Sequence, residues 1–261
     1  MKTPKAIADE IIQALKKKAN PQRAEGAQRY FKEKIAFYGM TTPEAREIAD
    51  GVYRSIQGIW TVREAVELCE ILLPDPYFEP RAQAILTLLR FKKEFGPEIF
   101  SRIKKWLIRN YCDNWALVDV LCPEAMETLF LRYPELVEKI KDWPQSPNRW
   151  VKRASAVSFI TLARRGRYLD DVYEISKRLF PVDDDLIHKA TGWLLREAGK
   201  TDMQRLEKFL LENGVAIPRT TLRYAIERFP EEKRKRLLAK TKTGSKKTRE
   251  GGQGRWLTKS R

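Results

Sequence analysis

The chain has 261 residues, 43% of them hydrophobic, which is enough to bury a core as one large domain or two small ones. Its charge is less ordinary: 51 Lys and Arg stand against 35 Asp and Glu, a net +16. A basic surface on this scale points to a polyanionic partner, nucleic acid being the commonest. No apolar run approaches the roughly 18 residues of a membrane span, which excludes a membrane partner of that kind.

The first twenty residues, MKTPKAIADEIIQALKKKAN, carry charges throughout, so they read as an amphipathic helix and not as a signal peptide. Helical periodicity then recurs almost everywhere, punctuated by Pro, Asp or Asn. It predicts helices over 4–18, 21–34, 43–57, 61–72, 79–95, 97–110, 115–133, 134–142, 148–165, 169–179, 184–199, 202–213, 218–228 and 230–239. Clean alternation and Asn-Gly or Asp-Gly hairpins are missing, so the fold class is all-α. The short loops are those of antiparallel helix pairs.

A repeat shows through the helices. A basic residue followed by Ala occurs at Arg81-Ala82, Arg153-Ala154 and Lys189-Ala190, the last two 36 residues apart and the first two 72 apart. A period in the thirties with two helices per unit marks an α-solenoid. The skipped register falls at Leu117, within DNWALVDVLCPEAM (113–126). There Trp115, Leu117, Val118, Val120 and Leu121 read as buried, yet Asp119 sits among them, an i, i+4 partner of Trp115 on one helical face.

Near residue 240 the composition changes. Residues 241–261 hold seven Lys or Arg, one Glu and four Gly, and read as a basic, disordered tail following a single domain over 1–240. Without the +6 of this tail the +16 of the chain falls to +10, so the folded body is basic by itself.

Three cysteines, Cys69, Cys112 and Cys122, are an odd number without a CxxC, which supports neither a disulfide framework nor a zinc site. A reduced, cytoplasmic setting follows. His188 is the sole histidine, which argues against His-based triads and His-rich metal centres. Neither a metal nor an organic cofactor is expected, and any hydrolytic chemistry must rest on carboxylates.

Four motifs line up along the chain: RYFKEKIAFYGMTTPEAR (29–46), NWALVD (114–119), NRWVKRA (148–154) and HKATGWLLRE (188–197). In this order and spacing, over residues from about 5 to 235, they resemble the AlkD family of alkylpurine DNA glycosylases. The resemblance implies a right-handed solenoid of HEAT-like helical repeats whose concave, basic face cradles duplex DNA. It also implies hydrolysis of the N-glycosidic bond of N3- and N7-alkylated purines, with the lesion still stacked in the duplex. By the same resemblance, Asp119 is the catalytic carboxylate, Trp115 and Trp193 flank the lesion, and Arg153 lies near the DNA backbone. Tyr30 matches another DNA-facing position, and Arg196 lies one helical turn beyond Trp193. Ala116 and Thr41 depart from family usage, and no groove contact is carried over to Thr41.

The chemistry suits these residue types. An alkylated purine carries a positive charge and is already a good leaving group, so the reaction needs stabilisation of an oxocarbenium-like sugar, which a fixed carboxylate supplies. Indole faces attract a cationic base, with about 0.5–2 kcal/mol per contact. Lys152 and Arg153 can hold phosphates.

Each residue also has a plainer role to weigh. Asp119 could satisfy a buried Arg, a Lys or a helix end, and would then tolerate Asn poorly; a carboxylate standing free in a cleft would tolerate it well. Arg153 could pair with Glu197. Trp60, Trp106, Trp143 and Trp150 read as packing residues, and His188 as a helix-surface residue. The expected protein is a monomer, cytoplasmic and nucleoid-associated, acting on double-stranded DNA containing alkylated purines. The alternatives are a non-catalytic solenoid that binds branched or distorted DNA, and a protein-binding scaffold.

Overall fold

A computed structural model describes residues 2–242. The expected basic tail lies outside the described residues except for Thr241 and Lys242, which close the last helix. The Thr241 hydroxyl donates to the carbonyl of Leu237 at 2.8 Å.

Most helices begin where a polar residue caps them. The Thr41 and Thr61 hydroxyls cap helices whose third residues, Glu44 and Glu64, reach back to complete reciprocal caps. Asn114, Asn148, Asp184 and Asp202 each accept one or more backbone N–H groups of the turn that follows. These are the punctuation marks that the sequence displays.

Six helices form an inner row in which each packs on the next: α3 (Thr42–Ile56), α5 (Phe78–Arg90), α7 (Trp115–Arg132), α9 (Arg149–Val157), α12 (Asp185–Gly199) and α14 (Arg219–Ala225). Their first residues fall at 42, 78, 115, 149, 185 and 219, steps of 34 to 37 residues. Outer helices back this row, among them α4 (Val62–Leu72) on α5 and α11 (Leu169–Leu179) on α12. The architecture is an all-α solenoid of paired helices, each unit burying its apolar face on its neighbours. The largest fully buried side chains include Trp106, Trp143, Phe95, Phe130 and Phe159, between the two rows. Trp60 and Trp150 are also buried, as packing residues should be.

Three expectations are corrected. The helix predicted over 21–34 ends at Gln28, as α2 (Pro21–Gln28). The Gln28 side chain replaces the ladder that would have continued: its amide N donates to the carbonyls of Phe31 and Glu33, and its Oε1 accepts from Ile35. The helix predicted over 148–165 is two, α9 and α10 (Ile160–Arg164). At the join the Ser158 hydroxyl bonds back to the carbonyl of Ala154 at 2.6 Å, a contact that competes with the helix ladder. Val120 is exposed and not buried.

Among the described residues, no helix is long and apolar enough to cross a membrane.

Candidate DNA-repair site

Asn114 starts the site. Fully buried, its side-chain oxygen accepts the N–H of Leu117 at 3.0 Å and fixes the first turn of α7. Trp115 is the first residue of that helix and Asp119 lies one turn on, so both face the same side. Pro123, inside α7, has no N–H to donate to the Asp119 carbonyl four residues back.

That side opens on a cleft of about 360 Å³, whose lining includes Trp115, Asp119, Arg153, Trp193, Arg196 and Tyr30. Trp115 and Trp193, 78 positions apart in sequence, thus meet on the inner row. Four basic side chains, Lys32, Arg153, Lys189 and Arg196, line it against two acidic ones, Glu33 and Asp119. Lys152 is the one sequence-predicted site residue outside this lining.

Asp119 does not stand free. Arg153 donates from Nε to Oδ1 at 2.9 Å and from Nη2 to Oδ2 at 2.7 Å, and its Nη1 donates to the carbonyl of Leu186 at 2.5 Å. The side chains are 15% and 6% exposed respectively, so the pair is largely withdrawn from water while still open to the cleft. Burial pushes the Asp119 carboxyl above its usual range, and the Arg153 guanidinium pulls it back down. A carboxylate has about four lone-pair sites, of which this fork takes two. The rest remain for a group in the cleft. The alternative partner for Arg153, Glu197, binds Arg164 at 2.8 Å and Lys200 at 2.7 Å instead.

The tryptophans are held differently. One face of Trp115 stacks on Phe31, with centroids 5.2 Å apart and planes at 17°. Trp193 is half-buried against the core where α12 and α14 nearly touch. A Cβ at Gly192 would lie 2.4 Å from the Tyr224 Cβ and 2.7 Å from the Thr221 carbonyl oxygen. Only glycine allows that approach, which brings Tyr224 to the cleft beside Trp193. Tyr30 is 78% exposed. Arg196 pairs with Glu227. The Thr41 hydroxyl is engaged with Glu44 at 2.8 Å. His188 is half-buried, its ring in contact with the Val182 carbonyl at 2.6 Å.

Sequence reasoning missed Tyr224, Lys189 and Phe31. Phe31 and Lys189 lie inside two of the quoted motifs, whereas Tyr224 has no local signal.

A solenoid whose inner row gathers two indoles, a carboxylate and an excess of basic side chains defines a class of protein suited to a damaged polyanion. Residues 11–229 match the family described as DNA alkylation repair enzyme, and the chain belongs to that family. DNA repair is its role and DNA its partner. A solved structure described as a predicted DNA alkylation repair enzyme from Enterococcus faecalis aligns with a TM-score of 0.73 at 20% identity, over 82% of this chain and 98% of that one. That likeness is one of fold. A search among curated proteins gives no match.

Proposed function

We propose that this protein is a monofunctional DNA glycosylase that hydrolyses the N-glycosidic bond of N3- and N7-alkylated purines in duplex DNA. The observation that carries this reading is the convergence of Trp115, Trp193 and Asp119 in one basic cleft. In the reaction the C1′–N bond breaks with its electron pair moving to the cationic base, which leaves neutral. The sugar left behind is cationic, and the Asp119 carboxylate stabilises it electrostatically. Water then adds at C1′, its proton passing to Asp119 or to solvent.

The indoles of Trp115 and Trp193 favour a cationic base over a neutral one, so they select damage by charge. Arg153 is a positioning residue in this scheme: it holds both Asp119 oxygens and favours the ionised form. Arg196, Tyr30, Lys152 and the cleft lysines serve the DNA backbone and the lesion's surroundings. The lesion need not turn into a deep cavity, because the cleft is open and flanked by flat aromatic faces. The protein acts as a monomer without cofactor.

The second reading is a non-catalytic DNA-binding solenoid. It is favoured by one observation, that Asp119 already has a structural partner in Arg153. The two separate in a single assay: incubation of methylated duplex DNA with the purified protein in EDTA. Release of free alkylpurine supports the glycosylase. DNA binding without release supports the second reading.

A further inference from the structure

Glu79, on the first turn of α5, is a buried carboxylate, 5% exposed, with no Lys or Arg paired to it among the described residues. Its two oxygens accept three successive backbone N–H groups instead, from Tyr38 at 2.9 Å, Gly39 at 2.8 Å and Met40 at 3.2 Å. Three backbone donors thus converge on one side chain. Gly39 completes the arrangement with a φ of +86°, and a Cβ there would lie 2.3 Å from the Asn20 carbonyl oxygen. Next to it the Phe78 N–H donates to the Ala36 carbonyl at 2.9 Å. Residues 36–40 are therefore clamped to α5, 40 positions away in sequence.

The same irregular segment, from residue 29 to 40, walls the cleft. Phe31 stacks on Trp115 of α7, and Glu33 pairs with Arg149 of α9 at 3.0 Å. An apolar chamber of about 490 Å³ lies beside Trp115, lined by Phe31, Phe37, Phe78, Met40 and Leu86 among others. The indole thus lies between this chamber and the cleft, packed against the core at its base and stacked on Phe31.

We propose that Glu79 is a positioning residue for base excision. Through the backbone of residues 36–40 it fixes the segment carrying Phe31, and Phe31 fixes the Trp115 indole. The inference rests on the glycosylase reading above for its effect on rate, and on geometry alone for its effect on Trp115.

The test uses the full chain labelled with 5-fluorotryptophan, the Trp115 fluorine resonance being assigned by Trp115→Phe. Glu79→Gln keeps the side chain's shape, but its amide nitrogen meets backbone donors. The expected result is a shifted or broadened Trp115 resonance with the Trp106 and Trp143 resonances in place. Single-turnover release of 7-methylguanine should fall about ten- to a hundredfold, the scale for a misplaced contact. An unmoved Trp115 resonance, or an unchanged release rate, overturns the proposal. Should Glu79→Gln fail to fold, Phe31→Leu breaks the same relay with the clamp intact, and an unmoved Trp115 resonance there overturns it equally. If the unsubstituted protein releases no base, the glycosylase reading falls, and the fluorine spectrum still decides whether Glu79 governs Trp115.

Discussion

One guanidinium binds both oxygens of Asp119: Arg153 reaches them from Nε at 2.9 Å and Nη2 at 2.7 Å. The carboxylate is thus oriented toward the cleft by the same contact that favours its ionised form against burial. Asp119→Asn should lower single-turnover base release by about 10²–10³, the scale for losing one preorganised electrostatic group. It should also lower stability, because the buried Arg153 loses one acceptor of its fork, although the neutral amide escapes the desolvation that raises the Asp119 carboxyl and so offsets part of the loss. Sequence reasoning for a free carboxylate expects no such loss, so the pairing changes the forecast. Release measured well below the mutant's melting temperature isolates the chemical effect; full activity there sinks the mechanism.

Arg153→Lys preserves charge and loses the fork. Base release should drop by at least about tenfold, on the scale of a misplaced catalytic group. Affinity for undamaged duplex should change little, because the native guanidinium is engaged by Asp119 and the Leu186 carbonyl. A large loss of affinity with normal excision of bound DNA would instead make Arg153 a phosphate contact.

The pH dependence follows from the raised Asp119 carboxyl. Activity needs the ionised form, so the acid limb of the pH–rate profile should lie above the ordinary Asp range. The folded protein holds this proton more tightly than the unfolded chain does. Asp119's contribution to stability is therefore most favourable below the unfolded pKa and is lost as pH rises through the folded one. Arg153→Met removes the opposing cation and should move the acid limb higher still. A limb that stays put in that variant would assign the titration to another group.

Gly192→Ala places a methyl group against the Tyr224 Cβ and the Thr221 carbonyl. Overpacking of this kind costs about 1–3 kcal/mol. Because α12 and α14 must separate to admit it, excision should fall beyond what the melting temperature explains. Normal excision at a reduced melting temperature would show that the α12–α14 spacing is structural only.

Deleting residues 243–261 should shallow the log–log salt dependence of DNA binding, since six Lys and Arg leave with the segment. Discrimination between alkylated and normal duplex should survive. Loss of that discrimination would make the tail part of the reader.

Much of this was legible in sequence because it is local. Polar caps at Asn114, Asn148 and Asp184 mark helix starts, and i, i+4 spacing is enough to put Trp115 and Asp119 on one face. What was illegible depends on distant partners. Residues 29–34 read as the end of a helix because their periodicity is helical. Their path is decided by Glu79, some 40 residues away, and by the Gln28 side chain. Arg153 could be placed near the site but not matched to a partner, since several carboxylates are possible and only folding selects Asp119. In hindsight the 34 residues between them, about one repeat, are the signal. Val120 is exposed because it falls off the face on which Leu117, Val118, Leu121 and Cys122 are buried, and it borders the apolar chamber beside Trp115.

The reach of Arg153 has a consequence for how the molecule comes apart. Its guanidinium touches α7 through Asp119 and α12 through the Leu186 carbonyl while sitting on α9, so one side chain couples three consecutive units. In a linear array whose units communicate through nearest-neighbour interfaces, such a side chain strengthens both interfaces of the unit that carries it. The group that orients the carboxylate is then also one that ties successive units together, so a substitution at Arg153 acts on both.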